Sequence, residues 1–84
     1  MKIGVVGIII EDNRKSANAV QSVLSEYGDL IVGRMGLPHL ANGVCLISVG
    51  VKGSVEKISA MTGKLGRIPF VKVKTAVSDV EIEE

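Results

Sequence analysis

Val20-Gln21-Ser22-Val23-Leu24-Ser25-Glu26-Tyr27-Gly28 and Ile58-Ser59-Ala60-Met61-Thr62-Gly63-Lys64-Leu65-Gly66 align at an offset of 38, Val20 on Ile58, Val23 on Met61, Tyr27 on Leu65 and Gly28 on Gly66. Each stretch repeats its apolar residues at helical spacing, with Val20, Leu24 and Tyr27 forming one stripe and Ile58, Met61 and Leu65 the other. A repeat of this length marks two copies of one supersecondary unit, neither able to bury its apolar face alone. Working outward, Ala17 extends the first stripe, and the helix is expected from about Arg14 to Tyr27. Asp12 and Asn13 are candidate caps ahead of it. Gly28 and Gly66 stand where a left-handed C-cap is wanted. Gly53 and Ser54 open the second helix, and Gly63 inside it costs roughly 1 kcal/mol against alanine, which predicts a packing reason or an early end.

Lys2 to Glu11 is rich in Ile and Val at odd and even positions alike, the mark of a central strand. Leu30 to Met35 reads as a second strand, residues 36–43 as a connection with Pro and Gly in it, and Val44 to Val51 as a third strand. A link that short favours an antiparallel hairpin, because parallel neighbours need a crossover of a dozen residues or more. Val71, Val73, Thr75 and Val77 alternate with Lys72, Lys74 and Ala76, which gives one buried and one wet face and suits an edge strand. The order is βαββαβ. Right-handed crossovers put strands one and three in the centre, so the expected fold is α+β: a ferredoxin-like sandwich with two helices on one face of a four-stranded antiparallel sheet. Its other face needs a cover, and a second subunit is the simplest one.

At 84 residues the chain is expected to be one domain over residues 1–78 with an acidic tail over 79–84, and a domain this short buries only ~60–65% of its unfolded surface. Hydrophobic residues make up 46% of it, yet there is one Phe, one Tyr and no Trp. Burial therefore rests on aliphatic side chains. The net charge of +1 hides a body at +5 and a tail at −4, from Asp79, Glu81, Glu83 and Glu84. No Lys/Arg cluster and no aromatic platform exist for nucleic acid, so direct nucleic-acid binding is not expected. A single cysteine excludes an internal disulfide and fits a reducing cytoplasm. The apolar start is too short to cross a bilayer and lacks a cleavage site, so no membrane span is expected.

His39 and Cys45 lie six apart, and imidazole with thiolate suits zinc, copper or nickel. Two donors leave such a site half built. A metal would need ligands from other chains or water; otherwise the pair is a loop histidine and a small buried hydrophobe. Arg34 beside the hairpin could join His39 in gripping a carboxylate or phosphate, or could be a solvated edge residue. Glu11, Asp12 and Asn13 form a polar corner at the first strand-helix junction, where free N–H groups could hold a ligand, although helix capping also explains Asp12 and Asn13. Gly4-Val5-Val6-Gly7 lacks dinucleotide-binding spacing, Gly63-Lys64 lacks a phosphate-loop context, and no catalytic set is evident. The chain reads as non-catalytic, without an intrinsic cofactor.

Lys2 to Glu11, Gly33-Arg34-Met35-Gly36-Leu37-Pro38-His39, and Ala60-Met61-Thr62-Gly63-Lys64-Leu65-Gly66-Arg67-Ile68-Pro69 with Val71 to Ala76 after it resemble the family of regulators of the iron-only hydrogenase system. The resemblance covers the chain to about Ser78. It implies an ACT-like ferredoxin fold similar to the C-terminal metal-sensing domain of nickel-responsive repressors, assembling through its sheets into dimers or tetramers, with amino acids bound at subunit interfaces in ACT domains. In those repressors the nickel ligands are a His-x-His, a Cys six residues later and a His from a neighbour. His39 and Cys45 match the second His and the Cys, Leu37 replaces the first His, and no second His exists in the chain. The repressor's DNA-binding segment is not expected here, so any control of transcription passes through a partner protein. The expected role is a cytoplasmic homo-oligomeric module that binds a small-molecule effector or a protein. A metal sensor using His39 and Cys45 across subunits is the alternative, and a purely structural assembly unit the third reading.

Overall fold

The computed structural model describes residues 1–83 apart from the side chain of His39. Strand β1 (Lys2–Ile10) leads to helix α1 (Asn13–Glu26), a 3₁₀ turn (Gly28–Leu30), β2 (Ile31–Ala41), β3 (Val44–Gly53), helix α2 (Val55–Gly66) and β4 (Val71–Val77). The strands lie in the order β2-β3-β1-β4, and every neighbouring pair is antiparallel. This is the ferredoxin-like βαββαβ sandwich that the repeat and the hairpin predict.

The helices cover the sheet from one side only. On β1, Val6, Ile8 and Ile10 are buried, and on β3, Cys45, Ile47, Val49 and Val51 are buried; because side chains alternate between faces, their neighbours in sequence point the other way. From above come Val20 and Leu24 of α1 and Ile58, Met61 and Leu65 of α2. The α1 stripe is rotated from the expected one. Ser16 rather than Ala17 is buried, and its hydroxyl donates to the carbonyl of Pro69, so a polar residue sits in the core with its partner supplied.

Both helix ends differ from expectation. Neither Gly28 nor Gly66 has a positive φ. After α1 the N–H of Leu30 bonds the carbonyl of Tyr27 (2.9 Å), and after α2 the N–H of Arg67 bonds that of Lys64 (3.3 Å); a right-handed turn of tighter pitch thus satisfies terminal carbonyls without a left-handed residue. At the start of α1, Asp12 occupies the cap position without a side-chain cap bond. Ser54 does cap α2, its hydroxyl accepting from the N–H of Lys57 at 3.2 Å. The two repeats meet at equivalent places: Lys64, 38 residues after Glu26, bonds its carboxylate at 2.6 Å and stands 5.3 Å from the centre of the Tyr27 ring. Hydrogen bonding to Glu26, then to Tyr27, holds the Lys64 pKa above its ordinary 10.5. A raised lysine pKa means that this contact supports the fold fully below pH about 10.5 and fades as pH climbs through the higher folded value.

The largest correction concerns residues 36–43. Most of them are strand, and the connection is the two-residue turn Asn42-Gly43, with φ of 50° and 80°. Two positive φ values make the primed turn that matches strand twist, and Asn-Gly is its preferred sequence. Beyond the Leu37–Leu46 pair the register jumps to Ala41–Val44, so positions 38–40 stand opposite Cys45 alone. Such a bulge on an edge strand is where proline is tolerated. On β4, Val71 is buried, but Thr75 and Val77, expected inside, are exposed; the small residues Ser59, Thr62, Gly63 and Gly66 of α2 leave an open hollow beside the strand as far as Thr75.

The tail beyond β4 lies against the start of β1. The N–H of Ser78 bonds the carbonyl of Ile3 and that of Ile82 the carbonyl of Met1, both at 2.8 Å. Glu81 pairs with the amino terminus and, at 3.5 Å, with Lys2. The tail thus packs on its own chain; Glu84 lies outside the described residues.

Candidate functional site

Three surfaces carry the chemistry that the sequence singles out. The first is the helix-free face of the sheet. Register places Lys72, Ile9, Leu46 and Leu37 in one row across it, Lys74, Gly7, Ser48 and Met35 in the next, and Ala76, Val5, Gly50 and Gly33 in a third. Ile3, Val5, Ile9, Met35 and Leu37 are 41 to 56% exposed, which is a large apolar area for the middle of a sheet to show water. Small residues between them open a shallow hollow of about 320 Å³ bounded by Val5, Val32 and Met35. Lys72 and Lys74, read from sequence as the wet face of β4, share this side and form its basic margin.

The second is a cleft of about 280 Å³ on the helix side, between α1 and β2. The helices sit over the central strands, so the edge strand is left uncovered and a trough remains. Ile10, Cys45 and Ile47 lie at its base, Asn13, Ala17 and Gln21 line one wall, and Arg34, Gly36 and Pro38 line the other. Arg34 is paired in register with buried Val49, which directs it to the helix side, and its guanidinium donates to the amide oxygen of Gln21 at 3.0 Å. The Cys45 thiol, 4% exposed, donates to the carbonyl of Pro38, with S···O 2.8 Å.

The third is the β1–α1 corner, where Glu11, Asp12 and Asn13 with Arg14, Asn42 and Gly43 line a separate hollow of about 500 Å³. Its backbone is largely engaged: the N–H of Glu11 bonds Phe70 (2.7 Å), that of Asn13 bonds Gly43 (3.0 Å), and Lys15 and Ser16 bond the carbonyl of Asp12. The Phe70 that receives Glu11 has a φ of 66°, a left-handed conformation costly for an aromatic residue, and Lys15 stands 5.2 Å from its ring centre.

The structure therefore brings Asn13, Arg34 and Cys45 to one cleft and leaves Glu11 and Asp12 outside it. The side chain of His39 lies outside the described residues, so its part in a ligand or metal site is not placed here. Among the described residues no three His, Cys, Asp or Glu side chains cluster closely enough to hold a metal ion, and no helix is long and apolar enough to cross a membrane. Sequence reading missed Gln21 and Gly36. With β2 traced to Ala41, the pairing of Gly36 with buried Ile47 would have marked an empty place on the helix side.

Comparison with known proteins adds what geometry does not. Residues 2–75 match the model of a family described as "TM1266-like: Iron-only hydrogenase system regulator, putative". The uncharacterized protein TM1266 from Thermotoga maritima shares the structure at a TM-score of 0.85 and 31% identity, over 92% of this chain and 98% of that one. A "Putative nickel-responsive regulator" of Saccharolobus solfataricus is 28% identical over 65 residues, 77% of this chain but 47% of its own length, so the chain spans about half of that relative. CPII, a nitrogen regulatory PII-like protein from Thiomonas intermedia K12 solved with ADP, AMP and bicarbonate, has a TM-score of 0.60 at 13% identity, over 95% of this chain and 93% of that one. At that identity the likeness is one of fold.

Proposed function

This chain belongs to the TM1266-like family of iron-only hydrogenase system regulators, and on that premise we propose that it is a non-catalytic cytoplasmic module that regulates by self-association and by binding an effector or a protein. Residues 1–78 form the module and 79–84 its acidic tail. The observation that carries this reading is the apolar helix-free face, with Ile3, Val5, Ile9, Met35 and Leu37 half exposed. Small residues at its centre permit the close approach of a second sheet, and a second copy brings the same apolar centre, so a symmetric dimer or a tetramer built on it fits. Effector contacts fall to Asn13 and Arg34 in the helix-side cleft, with Glu11 and Asp12 as a separate corner and His39 at the bulge. Deleting the gene in a host that carries the hydrogenase system should change hydrogenase activity or transcript level, and the wild-type gene should restore it. Unchanged hydrogenase in the deletion strain would remove the regulatory reading.

A second reading is supported by the likeness to the nickel-responsive regulator: His39 and Cys45 from two or more copies hold a transition metal. On that reading, protein purified without an affinity tag carries stoichiometric nickel, copper or zinc, and His39→Ala loses both the metal and part of the assembly. A metal-free wild type whose assembly is indifferent to His39→Ala would dismiss it.

A further inference from the structure

The trough between α1 and β2 is built for more than drainage of a sheet edge. Five features make it a site. Arg34 is turned to the helix side and steadied there by Gln21, at 3.0 Å. Among the described residues no carboxylate pairs with it, so most of the five donors of its fork are available to an anion. Gly36, in register with buried Ile47, would carry its Cβ into open space with nothing within 4 Å; the missing side chain is what keeps the trough empty over an apolar base. From Gln21 to Asn13 the wall spans eight residues of helix, ~12 Å at the helical rise. A volume of about 280 Å³ lies just under the ~300 Å³ at which ligand pockets usually begin, which suits a small ligand.

We propose that this cleft binds a small monocarboxylate with a short apolar chain, its carboxylate forked on Arg34 and its hydrocarbon lying over Gly36 and Ala17 toward Ile10 and Cys45. Holding Arg34 in place beforehand reduces the ordering that binding must impose. The lining offers a nucleotide neither an aromatic ring for its base nor a second cation for its phosphates, and a bare inorganic anion would leave the apolar half of the trough unused. The cleft is on the opposite side of the sheet from the helix-free face. It gives the regulatory reading an effector class without depending on self-association.

The test is an NMR titration of isotope-labelled protein with isovalerate, its uncharged amide isovaleramide, and a short Leu-terminated peptide as three separate arms, extended to straight and branched acids from butanoate to hexanoate. Saturable shifts at Ala17, Gly36 and the Arg34 guanidinium are expected with the acid, and binding of the amide should be at least ~10-fold weaker, as expected for loss of a charge-assisted pair. Arg34→Met should abolish the preference for acid over amide, and Gly36→Val should block the acid while leaving the thermal midpoint unchanged or higher, because the new side chain covers Ile47. Equal binding of acid and amide, undiminished binding by Gly36→Val, response to the peptide alone, or no saturable shift from any of the acids would each overturn the assignment. Should the chain prove monomeric while isovalerate still binds, the association reading falls and the cleft stands.

Discussion

Met61→Ala should lower unfolding stability by ~2–5 kcal/mol, the cost of removing a large buried side chain and leaving a cavity. Met61 is fully buried in the middle of α2, and the stripe of Ile58, Met61 and Leu65 supplies all the buried residues of that helix. The buried cluster is aliphatic apart from Met61 and Cys45, and the aromatic residue packed against it, Tyr27, is only partly buried. For a domain whose total stability falls within ~5–15 kcal/mol, the loss is a large share, and it corresponds to a fall in thermal midpoint of roughly 8–40 °C at this chain length. Met61→Leu, which keeps the volume, should cost less than ~1.5 kcal/mol. Urea and thermal denaturation followed by circular dichroism at one fixed protein concentration measures both, the fixed concentration being needed because association adds its own stability. A loss under ~1 kcal/mol for the alanine variant would mean that α2 is not pinned to the sheet through this residue.

Val5→Lys should abolish self-association while leaving the chain folded. Val5 lies at the centre of the helix-free face, between Ala76 and Gly50 in its row, and is 53% exposed, so lysine there is tolerated by an isolated chain. Two copies packed sheet to sheet would have to bury one new ammonium each, beside Lys72 and Lys74, which already share the face. Removing an ion from water costs several kcal/mol even after relaxation, and ~4 kcal/mol is about 1,000-fold in Kd. That exceeds what the face can offset. Completing the burial of half-exposed aliphatic side chains contributes ~1 kcal/mol apiece, and five from each copy give a total on the scale of the ~4–15 kcal/mol that association costs. The same variant should fail to restore hydrogenase control in a deletion strain if association is part of the mechanism.

The fold was legible in the sequence because its signals are local and redundant. The repeat at offset 38 gave both helices, the short link between β2 and β3 forced a hairpin, and crossover handedness put β1 and β3 in the centre. What went astray was punctuation. Pro38, Gly36 and Gly43 made residues 36–43 read as a connection, whereas the edge strand absorbs Pro38 in a bulge and turns only at Asn42-Gly43. The glycines after each helix look like left-handed caps, yet 3₁₀-type hydrogen bonds do the same work in right-handed backbone. The candidate site was half legible for a related reason. Arg34 is conspicuous as a charge on a strand, but its partner Gln21 and the vacancy at Gly36 follow from register, and register depended on the misread turn. Lys72 and Lys74 show a further limit: alternation along β4 separates two faces without saying which one the helices cover.

Self-association through the helix-free face underlies the proposed regulation, and sedimentation equilibrium of the wild-type chain over a wide dilution series measures it. The expected mass is at least twice the 8.8 kDa of one chain at the higher concentrations, falling toward a single chain on dilution and already monomeric throughout in Val5→Lys. A wild type that sediments as 8.8 kDa at every concentration, or a Val5→Lys chain that assembles as the wild type does, would contradict association through this face.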